Sequence, residues 1–305
     1  MRILTFDIED WFHVLDNPAT DAPAAWPGLD SRVERNTDRI LDELGSRGMR
    51  ATFFCLGWVA EHHPGLVRRI AAQGHEVGTH SHAHLPIDRQ QRGTFEADLV
   101  RSMKVLEDLT GQAVTFHRAP GFSLTPACGW AVEVLLAHGI SVDCSVFPLR
   151  RPGDRFDVPL GGPFTIHSPH GRLLELPVSA ARCMGMRYVC GGSGYFRLAP
   201  QGVVRRHLAR DDYVMSYFHP RDFDSAQPWV EGLSLFRQIK LRVGLRRAWS
   251  RFRRVLDEFD FVCVGDAVRR IDWATAPVVP LTRHMAGRPS PLEALPLWGE
   301  KHAGR

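Results

Sequence analysis

The chain has no Cys-x-x-Cys pair, no internal repeat, no acidic or basic low-complexity tail, and no apolar run approaching the roughly 18 to 20 residues of a membrane span. Its six cysteines, Cys55, Cys128, Cys144, Cys183, Cys190 and Cys263, are dispersed. That spacing disfavours a disulfide framework or a thiolate zinc site and favours reduced thiols in a cytoplasmic protein. The opening apolar residues are interrupted by acids too early for a signal peptide. A formal charge of +4, with no recognition motif beside it, argues against a nucleic-acid role. The expected location is the cytoplasm, with peripheral contact to the inner membrane as its extension.

What is present is enough for a full core. A chain of 305 residues with 44% hydrophobic and 24% charged content is the size of a single α/β barrel domain. Short apolar segments at 3–6, 51–56, 75–79, 114–117, 140–143 and 213–218 read as strands. Helical periodicity at 33–44, 66–72, 95–109, 126–138 and 201–209 alternates with them and stops at Gly48, Gly74, Gly111 and Gly139. This alternation predicts a largely parallel sheet, in number favouring a barrel, with the active site at the strand C-termini. Between 164 and 198 the pattern is irregular and β-rich, with Gly191-Gly192-Ser193-Gly194 as a turn. A long helix at 235–259 leads to a last strand at 261–264. The expected organisation is one domain over 1–272 and a proline-rich extended tail over 273–305.

Chemistry concentrates in two places. His80, His82 and His84 fall within five residues just beyond an apolar strand, a density hard to explain as packing. The first strand ends Thr5-Phe6-Asp7-Ile8-Glu9-Asp10, and alternation puts Asp7 and Glu9 on one face. Two imidazoles and a carboxylate make a three-ligand cation site with an open position, while a second carboxylate can take a proton from water. His82 is expected to face away. The plain alternative for the acids is a solvated strand end with an Asp capping a helix.

The order Thr-Phe-Asp-Ile-Glu-Asp, then His80-Ser81-His82-Ala83-His84, then Arg118-Ala119-Pro120-Gly121, then Tyr217-Phe218-His219-Pro220 resembles the NodB-homology polysaccharide deacetylases, carbohydrate esterase family 4. The resemblance spans about 1–270. Within the family the chain is most similar to the branch associated with bacterial exopolysaccharide and exosortase loci. That branch has an Asp-x-Glu-Asp-Trp-Phe opening, a Gly-Gly-Ser-Gly-Tyr-Phe-Arg segment (here Gly191 to Arg197) and a C-terminal helical extension. The fold it implies is a distorted (β/α) barrel with that extension.

The implied roles are Asp7 as general base, His80 and His84 as metal ligands, Arg118 as holder of the base, His219 as general acid and Asp143 as the acid orienting His219. The implied cofactor is a divalent metal, zinc above others. The commoner family motif has adjacent aspartates, the second binding metal, but here Ile8 follows Asp7. A branch with Asp-x-Asp spacing maps the third ligand onto Glu9; Asp10 is the substitute.

Trp11, Phe122, Leu176 and Phe218 are candidates for an apolar wall around an acetyl methyl, and Phe12, Tyr195, Phe196 and Trp229 for stacking on sugars, against a reading of all as core. The basic residues of 237–254 suit an anionic membrane surface or a lipid-linked glycan, or else a solvated face of a helix whose Leu235, Ile239, Trp249, Phe252 and Leu256 pack inward. The expected activity is removal of N-acetyl groups from amino sugars of a bacterial exopolysaccharide or its lipid-linked precursor. Alternatives are hydrolysis of another C–N bond, in peptidoglycan or a small amide, and a catalytically silent glycan-binding protein.

Overall fold

The computed structural model describes residues 1–149, 156–158, 161–183 and 186–281. Its centre is a nine-stranded sheet. β1 (Arg2–Ile8) is almost wholly buried because it has neighbours on both edges and cover on both faces, which is why it reads as an unbroken apolar run. Parallel to it, and joined by crossover helices, follow β2 (Thr52–Cys55), β3 (Glu76–Thr79), β4 (Phe116–His117) and β5 (Val142–Asp143). The hairpin β6 (Phe164–Ser168) and β7 (Gly171–Glu175) attaches antiparallel within itself, with β7 parallel to β5. A separate two-stranded ribbon pairs β8 (Ala181–Cys183) with β9 (Met186–Tyr188). β10 (Val214–Phe218) returns to the free edge of β1, in register from Arg2 beside Val214 to Phe6 beside Phe218.

The order β10-β1-β2-β3-β4-β5-β7-β6-β11 leaves β10 and β11 as edges not bonded to each other, so the barrel is open there. The crossovers are α1 (Val33–Gly45), α2 (Gly57–His62) with α3 (Pro64–Ala72), α4 (Arg92–Thr110) and α5 (Trp130–Ala137). Beyond the ribbon come α6 (Ser193–Leu198), α7 (Gln201–Arg210), α8 (Leu235–Arg242), α9 (Leu245–Glu258), α10 (Val264–Arg270) and β11 (Val278–Pro280).

Four expectations are corrected here. The long helix at 235–259 is two, because Gly244 takes a φ of +81° and a Cβ there would meet Arg197 Cβ and its carbonyl at 3.0 Å. The last strand is reduced to one bridge between Val262 and Ile3. Val264 instead opens α10, whose first N–H groups donate to Thr52 Oγ1 and the Glu76 carboxylate. Of the glycine-rich turn, Ser193 and Gly194 already belong to α6. Within 273–305, residues 278–280 form a strand parallel to β6, so the sheet crosses the boundary set at 272; residues 282–305 lie outside the described residues.

The core is aromatic where it supports the site. Phe6 of β1 stacks on Phe53 of β2 at 5.0 Å, and Phe252 of α9 packs edge-on against Phe6 and Phe218 at 6.1 and 5.2 Å. α9 presents Leu245, Ala248, Phe252, Val255 and Leu256 at helical spacing to this cluster, while Arg246, Arg247, Arg253 and Arg254 are exposed. Leu235 and Ile239, expected inside, are exposed.

Gly192 bridges to Tyr217 so closely that a Cβ would lie 1.8 Å from the Tyr217 carbonyl oxygen, a backbone atom that cannot step aside. Gly192→Ala is expected to cost about 3 kcal/mol in urea unfolding by overpacking; an unchanged midpoint would show that β10 tolerates displacement.

Candidate metal and catalytic centre

Strand alternation delivers Asp7 and Glu9 to one side of the C-terminal end of β1. Asp7 Oδ1 accepts from Arg118 Nη1 at 2.7 Å, with both side chains out of water. The guanidinium also donates to Thr5 Oγ1 (2.7 Å) and the Cys144 carbonyl (3.2 Å) and lies 4.2 Å over the Phe54 ring. Burial alone would lower the Arg118 pKa, but Asp7, with Cys144 and Tyr213, turns the shift upward. Such a pair is costly to break: losing one partner strands the other, at about 3 to 5 kcal/mol.

Glu9 is gathered with His80 and His84 into a buried group whose potential ligand atoms all lie within 4.8 Å of one another. His80 donates Nδ1–H to the Arg118 carbonyl at 2.7 Å, which leaves Nε2 as the free lone pair. Burial pushes His80 down to about 4, so the ring is neutral, as a ligand must be. Glu9 Oε2 lies 3.0 Å from His84 Nε2 yet has no hydrogen-bond partner. A buried carboxylate oxygen left orphaned against an imidazole nitrogen fits two ligands turned toward a common cation. Burial would raise the Glu9 carboxyl, but Arg221, His84 and His219 hold it well below the usual carboxylate range.

The histidine loop is strained and clamped. Ser81 and His84 have φ of +66° and +54°, unusual for side-chain-bearing residues. Asp98 of α4 fixes the turn, its carboxylate accepting from the N–H groups of His82 and Ala83 at 2.7 and 2.8 Å. His82 points the other way, with its nearest carboxylate that of Glu61 at 3.7 Å; Gly57 makes room, since a Cβ there would meet its ring at 2.5 Å.

Asp10 has other work. Its Oδ2 accepts from Ser31 Oγ and the N–H groups of Arg32 and Val33, and its Oδ1 from the Trp11 N–H. It caps the start of α1 from a distance and is not in the Glu9, His80 and His84 group.

His219 follows β10 and faces the same centre. Its Nε2 lies 2.8 Å from Glu9 Oε1 and 3.8 Å from Asp7 Oδ2. Its partner is not Asp143. That residue sits on β5 in register with His117 and is bonded to His117 Nδ1 at 2.5 Å and to Ser145, so neighbouring side chains occupy its carboxylate. Asp222 takes the place instead, Oδ2 accepting from both the backbone N–H and Nδ1–H of His219 at 2.9 Å. Burial opposes protonation of His219, but Glu9 and Asp222 lift it to about 9. Burial likewise opposes ionisation of Asp222, yet His219 and Arg197 carry it down to about 2.

Asp222, Arg221 and Asp98 escape a reading by strand ends. The one available signal for Asp222 was its place three residues after His219, the spacing of a capping box. Of the candidate wall and stacking residues, Phe12, Leu176, Phe196 and Phe218 are core, Phe122 packs on Tyr217 at 4.8 Å, and Tyr195 and Trp229 remain exposed.

Glu9→Gln is expected to weaken zinc binding by about 100-fold or more, judged by metal analysis after dialysis. Asp10→Asn should retain stoichiometric metal while losing about 1 kcal/mol of stability. Metal loss in Asp10→Asn with retention in Glu9→Gln would exchange the two assignments.

The chain resembles known proteins in two segments. Residues 17–135 match the family described as Polysaccharide deacetylase, and residues 144–269 match a Domain of unknown function (DUF3473). His80, His84 and Arg118 lie in the first segment and His219 in the second. The peptidoglycan-N-acetylglucosamine deacetylase of Bacillus cereus is 32% identical over 127 residues, 41% of this chain and 46% of that protein. The chitooligosaccharide deacetylase of Sinorhizobium fredii is 30% identical over 113 residues, 36% of this chain and 53% of that one. The chain thus spans about half the length of these curated relatives. A Mycobacterium smegmatis crystal structure of the polysaccharide deacetylase class superposes with a TM-score of 0.64 at 20% identity, over 92% of this chain and 93% of that one, which extends the shared fold to both segments. The chain thus carries a polysaccharide deacetylase domain over residues 17–135.

Proposed function

We propose that the chain is a metal-dependent N-deacetylase acting on N-acetylated amino sugars. The observation that carries this reading is the placement of Asp7 and His219 against one buried cluster of Glu9, His80 and His84. A divalent cation held by these three residues, zinc being suited to a two-nitrogen, one-oxygen donor set, would supply Lewis acidity to the acetyl carbonyl and to water.

The chain's own residues supply the proton transfers. Asp7 keeps Oδ1 on Arg118, so Oδ2 is the oxygen that receives the proton of the attacking water. Arg118 fixes the orientation of the carboxylate. His219 is an imidazolium with Nδ1–H held by Asp222, so Nε2–H is the proton delivered to the departing amine as the C–N bond breaks. The products are acetate and a free amino sugar. Asp222 and Arg118 act as positioning residues.

The proposed substrate is an exopolysaccharide or its lipid-linked precursor. Support comes from the Gly191 to Arg197 segment and the C-terminal helices, which lie in the segment distinct from the Polysaccharide deacetylase match. Peptidoglycan is the second reading, favoured by the name of the Bacillus cereus relative. Acetate release from a panel of acetylated oligosaccharides and peptidoglycan fragments separates them. Release from none, by zinc-loaded protein that still binds glycan, would leave a silent glycan-binding protein.

Asp7→Asn should keep its metal and lose about 10²- to 10⁴-fold in kcat, whereas His80→Ala should lose both; equal metal loss in the two would make Asp7 a ligand. Asp222→Ala is expected to lower kcat about 10- to 100-fold with KM little changed. Wild-type kcat in that variant would return the orienting role to another group. Chelation should abolish acetate release and added zinc restore it.

A further inference from the structure

α8 is built inside out. Its one fully buried residue is Gln238, whose amide bonds both the N–H and the carbonyl of Val230. Arg237 is turned toward the protein too, donating to the carbonyls of Leu15 and Asp16. The apolar residues face water: Leu235, Phe236, Ile239 and Val243 are 66%, 76%, 48% and 41% exposed. Leu235, Ile239 and Val243 recur every fourth residue and so form one stripe, with Phe236 beside it. A helix this short gains nothing from displaying such a stripe to water, and contiguous exposed apolar surface marks a binding face.

The charge around the stripe has one sign. From Ser234 to Leu256 there is no acidic residue and there are eight arginines or lysines. Five of these, Arg237, Arg242, Arg251, Arg253 and Arg254, hydrogen-bond to protein groups. Lys240, Arg246 and Arg247 are exposed, and their side chains have no hydrogen bond or ion pair among the described residues. The stripe runs at Val243 into a cavity of about 700 Å³ bordered by Leu198, Arg242, Arg246 and Arg247.

We propose that α8 and the rim of this cavity dock on an anionic phospholipid surface. Leu235, Phe236, Ile239 and Val243 enter the boundary between headgroups and acyl chains, and Lys240, Arg246 and Arg247 meet the lipid phosphates. A second copy of the chain is the weaker occupant, because a symmetric pairing across the stripe would bring these unpaired cations face to face. Among the described residues no helix is long and apolar enough to cross a membrane. Arg197 links this face to the centre: it donates to the carbonyls of Leu241 and Val243 and lies 3.5 Å from Asp222. Docking would therefore hold the catalytic centre near glycans carried at a membrane, a consequence that rests on the function proposed above, although the docking itself does not.

The test is co-sedimentation of the full chain with vesicles of phosphatidylcholine alone and of an equal mixture with phosphatidylglycerol. Binding is expected to the anionic vesicles only and to weaken with salt. Phe236→Ser with Ile239→Ser should weaken it by about tenfold or more, and Lys240→Gln with Arg246→Gln and Arg247→Gln should weaken it comparably. Both variants should keep the parent melting temperature and the parent's acetate release from soluble oligosaccharides. Absence of binding to anionic vesicles, equal binding to both kinds, or undiminished binding by the variants would overturn the proposal. So would a lipid-free dimer in sedimentation that Phe236→Ser dissociates. Because binding is read without turnover, its failure and a failure to release acetate are separate results.

Discussion

One residue with no access to water organises both halves of the chemistry. Arg118 turns its guanidinium to Asp7 and its backbone carbonyl to His80, so the proposed base and a proposed metal ligand are oriented from the same point on the chain. An arginine buried to this degree survives only if its donors are answered, and Thr5, Asp7, the Cys144 carbonyl, the Met215 sulfur and the Phe54 face surround it. The strand ends of β1, β3 and β4 are thereby held together through Arg118, by its side chain to β1 and its carbonyl to His80, as well as by the sheet.

Around that point charges alternate. Asp7 faces Arg118, Glu9 faces His219 and Arg221, and Asp222 faces His219 and Arg197. In a dry site each charge needs its opposite, and the resulting order also sets the protonation states the proposed reaction needs. Asp222 owes its position to a local backbone device, since the carboxylate that caps the turn after His219 is the one that holds the imidazole.

Much of this was legible in the residues because β-strand alternation is a rigid rule. Asp7 and Glu9 share a face for that reason, and a buried apolar run ending in acids marks the C-terminal end of a parallel strand. The strand-helix rhythm from residue 33 to 143 is equally visible, since each helix shows its apolar stripe and several end at a glycine. What stayed hidden depends on distant neighbours. Asp143 and Asp222 are alike as letters, and only the pairing of Asp143 with His117 across adjacent strands removes it from the site. Asp10 could be set aside only once its carboxylate was found on the N–H groups of Arg32 and Val33. The break at Gly244 depends on its left-handed backbone, and the outward turn of α8 runs against periodicity, which reports that a stripe exists but not whether anything covers it.

The pairing of β1 with β10 has a consequence for how the chain is made. The strand that carries Asp7 and leads to Glu9 is made well before β10, so one of its edges has no partner until residue 214. For most of synthesis that edge presents unpaired backbone groups, and the dry ion pair with Arg118 lacks part of its shelter. The centre therefore closes late, from the side of β10, and a ribosome-bound chain ending between residues 119 and 213 holds the histidines and Arg118 without the edge strand that leads to His219.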